Sequence, residues 1–219
     1  MNQHNVHLLD LSNEILFLIL RKLENVDVLY SLIDIDNQRL HSIAQDQIFT
    51  NSLNFVPILQ STDEISSISD SILDRFCVDI LPRIHENVKS LTVESVSMEC
   101  ILRADNYPNF TELKLYNFNK AIVSRYFLDW CSIIEYLHLI SLDVERANPY
   151  YIEHFLNETK TRLPCLTKLK VNYGDLKQVT ENFSRDEMRL NCGRVKRLIV
   201  ERSIVYPEYV YHYFPLLVV

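Results

Sequence analysis

The side chains that could carry chemistry are five cysteines and seven histidines, and neither set has the spacing of a recognisable site. No Cys-x-x-Cys pair occurs, whereas zinc ligands come in close pairs. The odd number and wide spacing of the cysteines do not predict a disulfide framework, so we expect free thiols in a reducing compartment. His138 could meet Cys131 as a nucleophile pair, but nothing in the sequence orients the two. The sequence therefore predicts no metal site and no catalytic site. The cysteines are Cys77, Cys100, Cys131, Cys165 and Cys192.

Phosphate-binding loops are excluded by the glycine content. The chain has only Gly174 and Gly193, whereas such loops need several closely spaced glycines so that the backbone can approach the phosphates. The carboxylates likewise form no close pair in an acid–base motif. We predict that the chain is not an enzyme and takes no cofactor.

The net charge of −7 argues against nucleic acid as a partner of the whole molecule. The charge is uneven, since residues 158–202 hold 11 Lys or Arg against 6 Asp or Glu, and the remainder holds 11 against 23. No run of about 18 uncharged apolar residues occurs, and the N-terminus lacks the cationic start of a signal peptide. The sequence predicts a globular protein of the cytoplasm or nucleus, with no membrane partner.

The elements that must position any functional side chain fall into two kinds along the 219 residues. Residues 8–50 have the apolar pattern of three short helices, with Ser12 as the first N-cap. Residues 51–87 contain a Ser-rich, acidic linker and then a helix at residues 70–85, which Pro82 should end or kink. Residues 88–219 have the pattern of short recurring strands.

An apolar-x-x-Leu-x-apolar pattern occurs five times in this last region. Its spacing of 22 to 32 residues between central leucines is typical of leucine-rich repeats, and residues 121–130 and 150–162 between the copies suit helices. We predict an α/β fold in which short parallel strands with helical returns form a leucine-rich-repeat-like solenoid. The apolar residues 214–219 predict either a last strand or an abbreviated chain. The central leucines are Leu91, Leu113, Leu137, Leu169 and Leu198.

The opening helical region has a second pattern. It reads Leu11-Ser-Asn-Glu14-Ile15-Leu16, followed at fixed intervals by Ile19, Leu20, Leu23, Asp27 and Leu29. This resembles an F-box, whose pattern is Leu-Pro, then Glu-Ile-Leu, an apolar pair, a Leu and Asp-Leu-Leu. Ser12 and Glu24 stand where the family has prolines, and a later family Trp is missing. The resemblance covers residues 8–50, and an F-box followed by leucine-rich repeats is a familiar architecture.

The resemblance implies a substrate-recognition subunit of a Skp/cullin/F-box ubiquitin ligase. The N-terminal helices would dock a Skp-type adaptor and through it a cullin ligase, and the repeats would hold the protein substrate. Alternatively, Ile15, Ile19 and Leu23 only close the three-helix core, because helical spacing does not say which face is outward. The residues that the resemblance places at the adaptor surface are Leu11, Ser12, Ile15, Ile19, Leu20 and Leu23.

Alternation along the predicted strands places a polar row on their outer face. Because the last two copies are rich in Lys and Arg, an acidic or phosphorylated protein is the sharper prediction for the substrate, against the alternative of a solvated polar face. Two other functions stay open: a non-ligase repeat scaffold whose helical start is only a cap, and nucleic-acid binding through the basic C-terminal half. The predicted substrate-binding residues are Thr92, Lys114, Tyr136, His138, Lys168, Lys170 and Arg197.

Overall fold

The computed structural model describes residues 8–56, 68–116, 133–201 and 205–218, and its central element is a six-stranded parallel sheet. The sheet runs β1-β2-β3-β5-β7-β8, so its strands follow chain order, and β4 and β6 form a separate parallel pair. The mixed α/β class with parallel strands is therefore confirmed. The strands are β1 (Ser52–Asn54), β2 (Ser90–Glu94), β3 (Glu112–Tyr116), β4 (Ile134–Glu135), β5 (Ser141–Arg146), β6 (Thr161–Arg162), β7 (Lys168–Lys170) and β8 (Arg197–Ile199).

Short helices precede the sheet and connect its strands. Before the first strand lie α1 (Asn13–Leu20), α2 (Asn25–Leu32), α3 (Gln38–Ala44) and α4 (Gln47–Thr50). Between β1 and β3 lie α5 (Asp70–Arg75), α6 (Leu81–Ile84) and α7 (Met98–Arg103). The later helices are α8 (Pro149–Leu156), α9 (Tyr173–Val179), α10 (Arg189–Cys192) and α11 (Glu208–Tyr213). None of the helices in the described ranges has the length and apolar character needed to cross a bilayer.

A ladder of leucines fixes the register of the six strands. Because alternate residues of a strand point to opposite faces, one leucine per strand reaches the same side of the sheet. All lie in the main core, with only the last of them partly exposed. In strand order the paired leucines are Leu53, Leu91, Leu113, Leu142, Leu169 and Leu198.

The third strand of the repeat is not the predicted one. Leu137 was expected in the sheet, but it lies in an exposed turn, and Leu142 occupies the ladder instead. The sequence contains two overlapping frames of the same pattern, which share Leu139: one starts at Ile134 and the other at Leu139 itself. The structure adopts the second frame, in which Leu142 and Val144 both become buried on a strand that lies between β3 and β7.

The helical segments confirm part of what the pattern predicts. The helix expected at residues 70–85 is observed as α5, a π-helical turn at Phe76–Ile80 and α6. The wide turn precedes Pro82, which lacks the N–H for an ordinary α-helical bond. The helix expected at residues 150–162 ends at Leu156, because the Asn157 side chain accepts hydrogen bonds from the backbone N–H and hydroxyl of Thr159. The helix expected at residues 121–130 lies outside the described residues.

The strand expected at residues 214–219 is not observed, because residues 214–218 form a turn and an irregular segment after a short helix. Residues 208–213 make α11, whose Val210 and Tyr213 are buried with Phe214 in the main core. Beyond it the Val218 N–H donates to the Lys196 carbonyl at 2.9 Å. The tail thus covers part of the edge of the last strand.

Helix α2 belongs to two cores. The smaller core closes the N-terminal helices and contains Leu16, Leu20, Val28 and Leu32 among its buried members. The main core lies on the inner face of the sheet and includes Val26, Leu29 and Ile33 of the same helical segment. The N-terminal helices are therefore packed against the sheet through α2.

Two cysteines form a disulfide that the sequence does not predict. Cys77, in the π-helical turn, bonds to Cys100 of α7 with Cα atoms 6.1 Å apart. The expectation of free thiols throughout is wrong for this pair, because the two residues meet only when separate helices pack together. Cys165 is a free exposed thiol, Cys192 is free and buried, and Cys131 lies outside the described residues.

Candidate functional site

An exposed apolar surface lies on and beside α1. Leu16 and Leu20, four residues apart, point into the smaller core. Ile15, Leu18 and Ile19 share the opposite side of the helix. We call Leu8, Leu9, Ile15, Leu18, Ile19 and Leu23 the N-terminal apolar surface; their side chains are between 42% and 63% exposed.

This arrangement separates the predicted adaptor-binding residues into two groups. Ile15, Ile19 and Leu23 are exposed, so they do not merely close the helical core. Leu20 was expected at the surface, but it is only 6% exposed and belongs to the smaller core. Leu11 is half-buried against that core, and Ser12 is exposed.

The start of α1 is held in place by Arg39 of α3. Its guanidinium donates to the Leu9 carbonyl at 3.0 Å, to the Leu11 carbonyl and to Asn13 Oδ1 at 2.5 Å. These bonds satisfy carbonyl groups before the first helical turn and fix the turn against α3. Ser12 precedes the helix at the N-cap position but does not cap its backbone N–H groups. Its hydroxyl hydrogen-bonds the Glu14 carboxylate instead and lowers the pKa of that carboxyl.

The outer face of the sheet carries five of the seven predicted substrate-binding residues. Thr92, Lys114 and Lys170 lie in one row across β2, β3 and β7, and Lys168 and Arg197 lie in the neighbouring row on β7 and β8. Tyr136 and His138 do not belong to this face. Their predicted positions depended on Leu137 being in the sheet, and Ser141 and Asp143 occupy those places instead.

Acidic residues of β5 change the electrostatics of this face. Lys170 Nζ lies 3.5 Å from Asp143 Oδ2 and also pairs with Glu145. The hydrogen bond to Glu145 raises the pKa of the Lys170 ammonium, so this cation is compensated within the sheet. Lys114 Nζ lies 5.0 Å from the centre of the Tyr116 ring, within cation–π range. These acids were not predicted on the outer face, because the third strand was expected in the frame of Leu137 rather than that of Leu142.

Lys168 and Arg197 are cations of this face that form no ion pair within 4 Å with another described residue. They are paired residues on adjacent strands. Beside Lys168, a cavity of about 260 Å³ on the outer face is lined by the Ser90, Thr92 and Ser141 hydroxyls and also by the Glu112 and Asp143 carboxylates. Cations next to hydroxyl donors can hold a carboxylate or phosphate group.

Within the described ranges, no group of three His, Cys, Asp or Glu side chains could hold a metal ion. Comparison with known proteins does not assign the chain to a family, because no protein-family model and no curated protein matches it. The function is therefore inferred from the two surfaces themselves.

Proposed function

We propose that the chain is the substrate-recognition subunit of a Skp/cullin/F-box ubiquitin ligase. The N-terminal apolar surface docks a Skp-type adaptor, and through it a cullin ligase, while the outer face of the sheet holds a protein substrate. The chain itself has no catalytic role in this proposal. It acts in the cytoplasm or nucleus, where the Cys77–Cys100 pair would be kept reduced.

The N-terminal apolar surface is the observation that carries this proposal. Exposed Ile15, Leu18 and Ile19 sit on a helix whose other side is already filled by Leu16 and Leu20. Exposed apolar side chains grouped on one helix indicate a protein-interaction site, and the F-box-like pattern of the same segment favours an adaptor of the Skp type as its occupant. An amphipathic helix held in a partner groove is a common mode of recognition.

The sheet supports the second half of the proposal. Parallel strands added in chain order, with helices between them, are the arrangement expected of leucine-rich repeats. They offer a broad polar face on which Lys168 and Arg197 favour an acidic or phosphorylated segment. A fluorescent phosphoserine peptide should bind more tightly than its unphosphorylated form, and Lys168→Glu/Arg197→Glu should abolish the difference.

The adaptor is tested by co-purification with a Skp-type protein. Wild-type chain should form a 1:1 complex, and Ile15→Asp/Ile19→Asp should lose it while retaining the wild-type circular dichroism spectrum. Val78→Asp is the control, because it puts a carboxylate on an apolar position of the π-helical turn that is 72% exposed, more than either substituted isoleucine. Loss of the complex in the control as well, or no complex with well-folded wild type, would contradict the proposal.

A non-ligase repeat scaffold is the second candidate, and the packing of α2 favours it. Since Val26, Leu29 and Ile33 join the main core, the N-terminal helices also cover the open end of the sheet beside β1. A cap alone predicts a chain that remains monomeric when the adaptor is present. The co-purification experiment therefore separates the two candidates.

A further inference from the structure

A cavity away from the outer face of the sheet has a different chemistry. It measures about 250 Å³ and lies between the segment after α7 and the segment around β4. Its wall contains three aromatic rings: Phe110 lies 6.0 Å from Tyr107 and 6.1 Å from Tyr136 between ring centroids. Tyr107 and Phe110 are buried, so the rings form a fixed apolar wall.

The cavity lining carries two carboxylates, those of Asp105 and Glu135. Among the described residues no Lys or Arg lines it, and a histidine, His138, is present as well. Glu135 is bound to Arg162 at 2.7 Å. Asp105 Oδ1 accepts a hydrogen bond from the Asn106 backbone N–H at 2.6 Å. Its Oδ2 lies 3.6 Å from His85 Nδ1, beyond hydrogen-bond distance, because that nitrogen is 2.9 Å from the Pro82 carbonyl.

We propose that this cavity binds the side chain of an arginine from a polypeptide partner. A planar guanidinium can stack on the Tyr136 or Tyr107 ring while it donates to the Asp105 carboxylate. The volume is below the 300 Å³ or so at which drug-sized ligand pockets begin, and it suits one long side chain. An acidic or phosphorylated group would meet two carboxylates and would be repelled.

The chain already contains such an arrangement at another place. The Arg75 guanidinium lies 4.4 Å from the centre of the Tyr30 ring and 3.2 Å from the Asp34 carboxylate. An arginine between a tyrosine ring and an aspartate is therefore compatible with the geometry that this chain adopts. In the cavity, Tyr136 and Asp105 are present and the guanidinium must come from outside. This inference does not depend on whether the chain docks an adaptor.

The test uses N-acetyl-arginine amide as the probe and N-acetyl-citrulline amide as its neutral match. Titration is followed by NMR of the tyrosine ring resonances of the full chain. The arginine probe should bind about tenfold more tightly than the citrulline probe, because a charge-assisted hydrogen bond is lost in citrulline. Free arginine should bind no more tightly than the capped probe, because the proposed contacts are made by the guanidinium, and the α-ammonium and α-carboxylate of free arginine cancel in net charge.

Substitutions at an exposed residue of the cavity test the proposal without disturbing the fold. Leu137 lines the cavity and is exposed. Leu137→Lys should therefore weaken binding of the arginine probe at least about fivefold by charge repulsion, while Leu137→Gln should not. Asp105→Asn should weaken the same probe. Equal binding of the arginine and citrulline probes, or equal effects of the two Leu137 variants, would overturn the proposal. Tighter binding of free arginine than of the capped probe would overturn the assignment to a polypeptide partner.

Discussion

The frame of the third strand can be tested by two substitutions of the same kind, Leu137→Ala and Leu142→Ala. Leu142 is 0% exposed within the leucine ladder, and Leu137 is 54% exposed. Truncating a buried leucine to alanine destabilises a protein by about 2–5 kcal/mol, whereas an exposed position usually changes stability by about 0.5 kcal/mol or less. The two variants should therefore differ by several kcal/mol in the free energy of unfolding.

Equilibrium urea denaturation followed by circular dichroism measures this difference. With an m value of about 3 kcal/mol/M, a loss of about 3 kcal/mol lowers the urea midpoint by about 1 M for Leu142→Ala. The midpoint for Leu137→Ala should stay close to wild type, and m should be unchanged in both. Equal destabilisation, or a larger effect at Leu137, would refute the frame and return Tyr136 and His138 to the outer face of the sheet.

Three further predictions concern the helical surface, a buried histidine and the disulfide. Ile19→Ala should weaken adaptor binding about fivefold, because about 1 kcal/mol of apolar burial is lost, and should change stability little. Leu20→Ala should instead lower the free energy of unfolding by about 2–5 kcal/mol. Calorimetric titration measures the first effect and urea denaturation the second. Burial lowers the pKa of His154 from 6.5 to about 4, so stability should fall as the pH drops from 6.5 towards 4, by up to about 3 kcal/mol; unfolding of His154→Gln should depend less on pH over that range. Opening the Cys77–Cys100 disulfide with dithiothreitol should lower stability by about 3 kcal/mol, from its 23-residue separation, and leave the circular dichroism spectrum folded.

The parallel strands could be predicted because their pattern is local. Leu91, Leu113, Leu169 and Leu198 each stand in a six-residue motif that alternates on its own, and each lies in the sheet where the motif predicts a strand. The first strand around Leu53 escaped prediction, because it is only three residues long and lies outside the repeated pattern. Its position follows from pairing with β2, which is a tertiary contact.

The inward and outward sides of α1 could not be separated from the sequence. Ile19 and Leu20 are adjacent and equally apolar, so their types do not say which one contacts the core. The position of α3 decides the matter, because Leu40 and Ile43 belong to the smaller core with Leu20. The charge balance of the outer face could not be predicted from the sequence either, because Lys170 contacts Asp143 only when β5 and β7 pair.

Helix α2 bears on both candidate functions. Its Val28 and Leu32 pack with α1 in the smaller core, and its Val26 and Leu29 pack in the main core. A partner on the N-terminal apolar surface and a partner on the sheet would thus be connected by packed side chains rather than by a free linker. The same packing would serve a cap equally well, because a cap must also bury the side of the sheet beside β1. A cap does not need exposed apolar residues on the side of α1 that faces away from the smaller core, where Ile15, Leu18 and Ile19 lie. This additional exposed apolar surface favours a docked adaptor.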